Sequence, residues 1–288
     1  MIIPGEEKYK TNLMQMWKIC FGDSDEFIRF YFEKVYRNED TLIALNEKGL
    51  PVAALQMIPY RIKINNQEYN AGYISGAMTD PDYRRQGHME RLLHVASDSM
   101  KKRGDTFSFL IPQEEWLIKF YAKYDYERAF PRSRQLIVLE ENKSLCLQDE
   151  VQILKHLDNF PWDDFIPFYV SLLSRKENVI LKNEEQIRLI VEDLMFEGGL
   201  VFYIRSKGFA FVLSYKGKAI IKEILFQELS VKDCLLHVIS NYFDTKEISV
   251  VDNHFYNPDH FSGMVKILDS HNYPGKFPND VYMNMMLD

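Results

Sequence analysis

The apolar positions of this chain change period several times, and each change marks an element. Residues 6–21 and 25–36 carry helical spacing, and Phe27, Ile28, Tyr31, Phe32 and Val35 make one apolar stripe. Gly22 stops the first helix, and Asp23-x-x-Glu26 has the spacing of a capping box for the second. Strand-like runs follow at 41–46, at 51–58 with 61–64, and at 67–79. Glu47-Lys48-Gly49 and Asn65-Asn66 supply turn chemistry between them, so an antiparallel meander is expected. Met89, Leu92, Leu93, Ala96 and Met100 then return to helical spacing, and Gly104 ends that helix. An apolar run at 106–111, a short helix at 113–124 and a strand at 134–140 complete a β-α-β crossover attached to the meander.

A polar stretch, Glu141-Asn142-Lys143-Ser144, follows, and the pattern then repeats. Helices are expected at 149–158, 164–174 and 183–196, strands at 200–204, 209–215 and 219–226, a helix at 231–243 and a strand at 248–251. The fold class is therefore α+β (α/β), with two successive units, 1–141 and 142–288. Each has a mixed, largely antiparallel sheet flanked by helices.

The candidate chemistry sits at the start of the helix that ends at Gly104. In Arg84-Arg85-Gln86-Gly87-His88-Met89 the first backbone N–H groups of a helix lack intrahelical acceptors, and an anion is their natural partner. Gly87 has no Cβ to hold a phosphate off the backbone, and the two arginines and the helix dipole favour a diphosphate. Gly72 and Gly76 fit a strand that bends or is approached closely. The matching helix start in the second unit, Gln227-Glu228-Leu229-Ser230-Val231-Lys232-Asp233, has neither glycine nor arginine, and its carboxylates would repel a diphosphate. The second unit is expected to support the first and to shape an acceptor pocket.

The order of elements and two motifs resemble the GNAT superfamily of N-acetyltransferases. Its coenzyme loop, Arg/Gln-x-x-Gly-x-Gly/Ala, is matched by Arg84-x-x-Gly87 with Met89 in place of the small residue. Its aromatic helix end, Phe-Tyr-x-x-x-Gly-Phe, is matched by Phe120-Tyr121-Ala122-Lys123-Tyr124-Asp125-Tyr126, with Asp125 in place of glycine. The two-unit arrangement is similar to the Eis-like tandem branch, without room for its C-terminal sterol-carrier-like domain.

That resemblance implies acetyl-CoA as co-substrate, held by Ala77, Met78, Thr79, Arg84, Arg85, Gln86, Gly87, His88 and Met89, and no metal. It implies direct attack by a primary amine of a small molecule, peptide or protein, with Tyr121 protonating the departing thiolate. Residues 73–79 hold no carboxylate to serve as base, so water-mediated deprotonation is expected. In the Eis-like branch the chain's terminal carboxylate lies at the active site, which makes Asp288 a further candidate. The helices at 6–21 and 25–36 flank the acceptor side. There Asp23, Asp25 and Glu26 stand near an incoming amine, although capping is the ordinary role of such residues.

Composition narrows the choices. The 288 residues are 46% hydrophobic and 14% aromatic, enough for sizeable cores, so the chain is not disordered. A net charge of −7 argues against nucleic acid as partner and suits a cationic amine. Cys20, Cys146 and Cys234 show no C-x-x-C spacing, which suggests neither a disulfide framework nor a zinc site. No apolar run reaches spanning length and the N-terminus lacks a leader pattern, so no membrane partner and a cytoplasmic location are expected. Two other readings stay open: an acyl-CoA-binding module without catalysis, and an aminoacyl-tRNA-dependent transferase, whose members also pair two GNAT-like units.

Overall fold

The computed structural model describes residues 1–139, 150–252, 261–283 and 285–286. The elements run β1 (Ile2–Pro4), α1 (Lys10–Phe21), α2 (Asp25–Lys34), β2 (Thr41–Leu45), β3 (Pro51–Ile64), β4 (Gln67–Thr79), α3 (His88–Arg103), β5 (Phe107–Leu110), α4 (Glu115–Ala122), β6 (Glu127–Pro131) and β7 (Ser133–Val138). They continue through β8 (Gln152–Leu154), α5 (Trp162–Ser174), β9 (Val179–Leu181), α6 (Glu184–Phe196), β10 (Leu200–Ile204), β11 (Gly208–Tyr215), β12 (Lys218–Phe226), α7 (Leu229–Tyr242), β13 (Glu247–Asp252) and β14 (Phe261–Ile267). Among the described residues no helix is long and apolar enough to cross a membrane.

Two sheets form. The first has the order β1-β2-β3-β4-β5-β14-β6, with β9 also on β3, and the second has the order β7-β13-β12-β11-β10-β8. The meander β2-β3-β4 is antiparallel, turned at Asn65-Asn66 with φ of +49° and +63°, and β4 then pairs in parallel with β5 through the α3 crossover. The second sheet repeats this with β10-β11-β12 antiparallel and β12 parallel to β13 through α7.

The sheets exchange strands across the expected division at 141. The 134–140 strand was expected within the first unit. It is instead β7, antiparallel to β13 in the second sheet. Its place in the first sheet is taken by β14, which lies between β5 and β6 and is antiparallel to both. β9 likewise crosses over to pair with Arg61–Lys63 of β3. Neither sheet is completed by the residues on one side of 141.

Local expectations also shift in places. The helix expected at 149–158 is not formed: Gln152–Leu154 is a strand on β10, and Val151 and Ile153 pack together on the α7 core in a period of two rather than 3.6. The cap of α2 is Ser24, whose side chain accepts from Phe27 N, and Asp23 is left for another partner. At α6 the sequence shows its cap openly, and Asn183 and Gln186 form a reciprocal capping box.

The two faces of the first sheet are filled separately. Leu13, Met16, Trp17, Tyr31 and Phe32 from α1 and α2 pack on Ile43, Ala54 and Met78, together with α5 and α6. Leu92, Leu93, Ala96 and Met100 of α3, with Tyr121, pack on Ala53, Leu55, Met57 and Ile74 of the other face. Each fully buried Leu or Phe contributes about 1.5–3 kcal/mol, so both helix layers are firmly held.

Candidate active site

β4 and β5 pair only from Ala71 with Phe107 to Ile74 with Leu110. β4 runs on to Thr79, and among the described strands none covers its β5-facing edge from Ser75 onward. Immediately past the last pair the register against β3 shifts and Gly76 adopts φ of +56°. A Cβ on Gly76 would stand 2.6 Å from Cζ3 of Trp17, so the bulge requires glycine twice over. Gly72 is also a close-approach position, because a Cβ there would run into Met100 of α3. Both glycines behave as their strand positions imply.

The parting strands leave a cleft of about 130 Å³. Trp17, Phe21 and Asp23 line it from the α1 side, Ser75, Gly76 and Ala77 along β4, and Leu117 and Tyr121 from α4. Since α1 and α4 lie on opposite faces, the cleft passes through the sheet. A donor on one face and an acceptor on the other can therefore meet at the bulge.

Tyr121 is 6% exposed and its ring packs on Phe120 and Tyr126. Burial pushes its phenol up to about 12. The group thus stays protonated, as a proton donor must. Neighbouring Tyr126 is raised further by burial and is held by Ser108 at 2.6 Å, on the core side. The helix-end motif closes through Asp125 at φ of +66°, the left-handed conformation for which glycine is usual and Asp is among the tolerated residues.

The basic loop is built in steps. Asp80 accepts from Asp82 N at 3.0 Å, Gln86 Nε2 donates to Asp82 O, and Arg84 Nε donates to Thr79 O at 3.2 Å. Cys20, a free thiol, donates to the same Thr79 carbonyl. Arg85 at φ of +62° and Gly87 at +75° turn the chain into α3, which begins at His88 without a side-chain cap. The first amides of α3 are therefore free of intrahelical acceptors at an exposed surface beside Arg84 and Arg85. Burial and then Arg91 lower the pKa of His88, whose Nδ1 lies 3.0 Å from Arg91. Such a helix start can hold an anion such as a phosphate.

Of the residues expected to hold coenzyme, Ala77 lines the cleft, and Arg84 to His88 form the loop and helix start. Met78 turns its side chain into the α1/α2 core, and half-buried Met89 packs on the α3 core. Thr79 O is already engaged by Arg84 and Cys20. Asp288 lies outside the described residues. Trp17, Phe21, Ser75, Leu117 and Gln113 line the cleft without having been singled out from sequence. Only Ser75 carried a signal there, standing before a strand glycine.

Residues 2–129 match the family model described as an acetyltransferase (GNAT) domain. This part of the chain is a GNAT domain. It places the protein among the acyltransferases. No curated protein matches the chain. Among solved structures, a conserved protein from Enterococcus faecalis V583, described as a probable N-acyltransferase, is 13% identical with a TM-score of 0.79, over 96% of this chain and 75% of that one. Eis1 from Mycobacterium abscessus is 10% identical with a TM-score of 0.71, over 94% and 75%. A tandem GNAT protein from the clavulanic acid pathway is 10% identical with a TM-score of 0.51, over 93% and 98%. The GNAT domain thus lies within a tandem-GNAT, Eis-like fold that spans both halves.

Proposed function

We propose that the protein transfers an acetyl group from acetyl-CoA to a primary amine by direct attack at the β4–β5 cleft. The observation that carries this reading is the opening at Gly76, which joins the Tyr121 hydroxyl on one face to Trp17, Phe21 and Asp23 on the other. The helix start at 84–88 suits the diphosphate, and β4 beyond Ile74 offers unpaired backbone to an extended pantetheine. The coenzyme supplies a thioester carbonyl. Attack by a neutral amine forms the C–N bond, the C–S bond breaks, and the proton of Tyr121 goes to the departing sulfur; the nitrogen loses its surplus proton to water, and water returns a proton to the Tyr121 phenolate. Backbone N–H groups at the bulge are the donors nearest the charge that develops on the carbonyl oxygen.

Asp23 supports a cationic acceptor. It is half-buried beside the cleft and accepts from Trp17 Nε1 at 2.7 Å, while Lys18 donates to its backbone carbonyl rather than its carboxylate. Among the described residues no Lys or Arg pairs with that carboxylate. An ammonium entering past Trp17 and Phe21 would meet an uncompensated negative charge and two aromatic faces. The second half supplies α5 and α6 against the same core as α1 and α2, which suits a role in shaping this side.

The test is calorimetric titration with acetyl-CoA of the wild type, Gly87→Glu and Gly87→Ala. Both variants carry the strain of a Cβ at φ of +75°, so the difference between them isolates charge. Binding to the wild type and Gly87→Ala but not Gly87→Glu is expected. No binding to the wild type would leave only a shared fold, and tight binding without acceptor-dependent thiol release would favour the non-catalytic module.

A further inference from the structure

We infer that Ser75 orients the acceptor amine, with Tyr31 and Gln56 as the positioning residues behind it. The inference rests on the acyl-transfer reading and adds a residue to it. Ser75 is the first residue of β4 beyond the last pair with β5, and it lines the cleft. Its register partner on β3 is Gln56, so the two share one face of the sheet, the face covered by α2. There Tyr31 Oη lies 2.7 Å from Ser75 Oγ and accepts from Gln56 Nε2 at 2.9 Å. All three side chains are buried, Tyr31 at 1%, Gln56 at 4% and Ser75 at 5% exposure. A buried polar chain of this kind is costly unless its members satisfy one another, and it fixes rotamers where it does.

Gln56 Nε2 donates to Tyr31 Oη, and Tyr31 Oη and Ser75 Oγ share one proton that either can donate. In both directions Ser75 Oγ keeps an acceptor lone pair for an N–H in the cleft. A neutral primary amine has two N–H groups and one lone pair. If one N–H is accepted by Ser75 Oγ, the lone pair is turned toward the other face of the sheet, where Tyr121 stands. As the C–N bond forms, the nitrogen gains positive charge and its N–H becomes a stronger donor. The bond to Ser75 therefore tightens during reaction, the condition for acceleration rather than mere binding. Ser75 takes no proton in this scheme; the nitrogen's surplus proton passes to water.

Gly76 explains why this hydroxyl stands here. The positive φ at Gly76 turns β4 immediately after Ser75, which keeps Ser75 in register with Gln56 while the next residues leave the β5 edge.

The experiment measures acceptor-dependent thiol release from acetyl-CoA with a panel of primary amines, for the wild type and for Ser75→Ala, Ser75→Thr and Tyr31→Phe, alongside coenzyme affinity and melting temperature. Ser75→Ala is expected to lower kcat about 10- to 100-fold, the worth of one hydrogen bond to a charged group. Coenzyme affinity and the pH at half-maximal rate should be unchanged. Ser75→Thr keeps the hydroxyl and should recover most of the loss, and Tyr31→Phe should fall between. Wild-type kcat in Ser75→Ala overturns the inference. Equal losses in the Ala and Thr variants, with affinity and melting temperature kept, also overturn it, because the hydroxyl is then not what matters. Absence of thiol release from the wild type removes the acyl-transfer reading itself, and the assignment of Ser75 falls with it.

Discussion

The two sheets repeat one strand order around a crossover helix, and what stands beyond the parallel pairing differs between them. In the first, β4 and β5 part after Ile74, and Ser75-Gly76-Ala77 border a cleft. In the second, β12 and β13 are parallel from Ala219 with Ile248 to Ile221 with Val250, and Glu223 stands just beyond with no exposed surface. Its carboxylate accepts from Tyr169 and from Tyr282, both at 2.6 Å, and the negative charge and burial raise the Tyr169 phenol well above its usual range. Nearby Lys182 is buried, with no hydrogen-bond partner for Nζ among the described residues, and burial lowers its pKa although Glu223 opposes that shift. The helix starts differ in the same sense: α3 follows Gly87 in the left-handed region, whereas α7 follows Glu228 in extended backbone. Beyond one parallel pairing stands a glycine that borders a cleft, and beyond the other a buried carboxylate with two tyrosine partners. The same crossover can thus be followed by a site or by core.

Filling the cleft should have the largest effect. Gly76→Leu places a branched side chain against Trp17 at a positive φ, so turnover should fall by more than about 100-fold and coenzyme binding should weaken. Near-wild-type turnover in that variant would move the reaction elsewhere. Removing the buried carboxylate of the second sheet tests the other half of the contrast. Glu223→Ala leaves the hydroxyls of Tyr169 and Tyr282 without this acceptor and should cost about 3–5 kcal/mol in urea unfolding, with no second coenzyme site gained. A loss below about 1 kcal/mol would mean that the buried carboxylate does not anchor Tyr169 and Tyr282 on the second sheet.

Tyr121→Phe should lower kcat by about 10- to 100-fold with coenzyme affinity kept, a modest loss for a general acid because a thiolate leaves readily. The pH profile gives a second reading. The folded phenol is raised to about 12, so the rate should rise with amine deprotonation and show no falling limb below pH 10. The same shift ties stability to pH: the contribution is present below the unfolded value of 10.0 and is lost as pH rises through about 12. A falling limb near pH 8 would assign the acid to another group. The smallest effect is expected at Asp125→Gly, which should raise stability by about 0.5–1 kcal/mol by relieving the φ of +66°. The lost contact with Lys266, at 3.5 Å on an exposed carboxylate, offsets little of that. A lower melting temperature in this variant would show that Asp125 is held by more than its backbone.

What the residues alone determined was local. Period, turn chemistry and caps located the meanders, the helix ending at Gly104 and the helix start at Gly87, because each rests on neighbours within a few positions. β10 runs over Leu200–Ile204 and β4 over Gln67–Thr79, as their alternation and flanking turns indicate. The Asp125 substitution in the aromatic motif was also legible, since asparagine and aspartate tolerate the conformation that glycine usually supplies.

Tertiary structure decided the rest. β1, β8 and β9 are each three residues long, too short for a periodic signal, and they exist because a longer strand offers them an edge. Nothing in Ser133–Val138 or Phe261–Ile267 distinguishes the sheet to which each belongs; partner edges separated by more than a hundred positions chose, and the strands crossed over. The cleft is of the same kind. Trp17, Ser75 and Tyr121 come from α1, β4 and α4, and what unites them is the parting of two strands, a property of the sheet and not of any one segment.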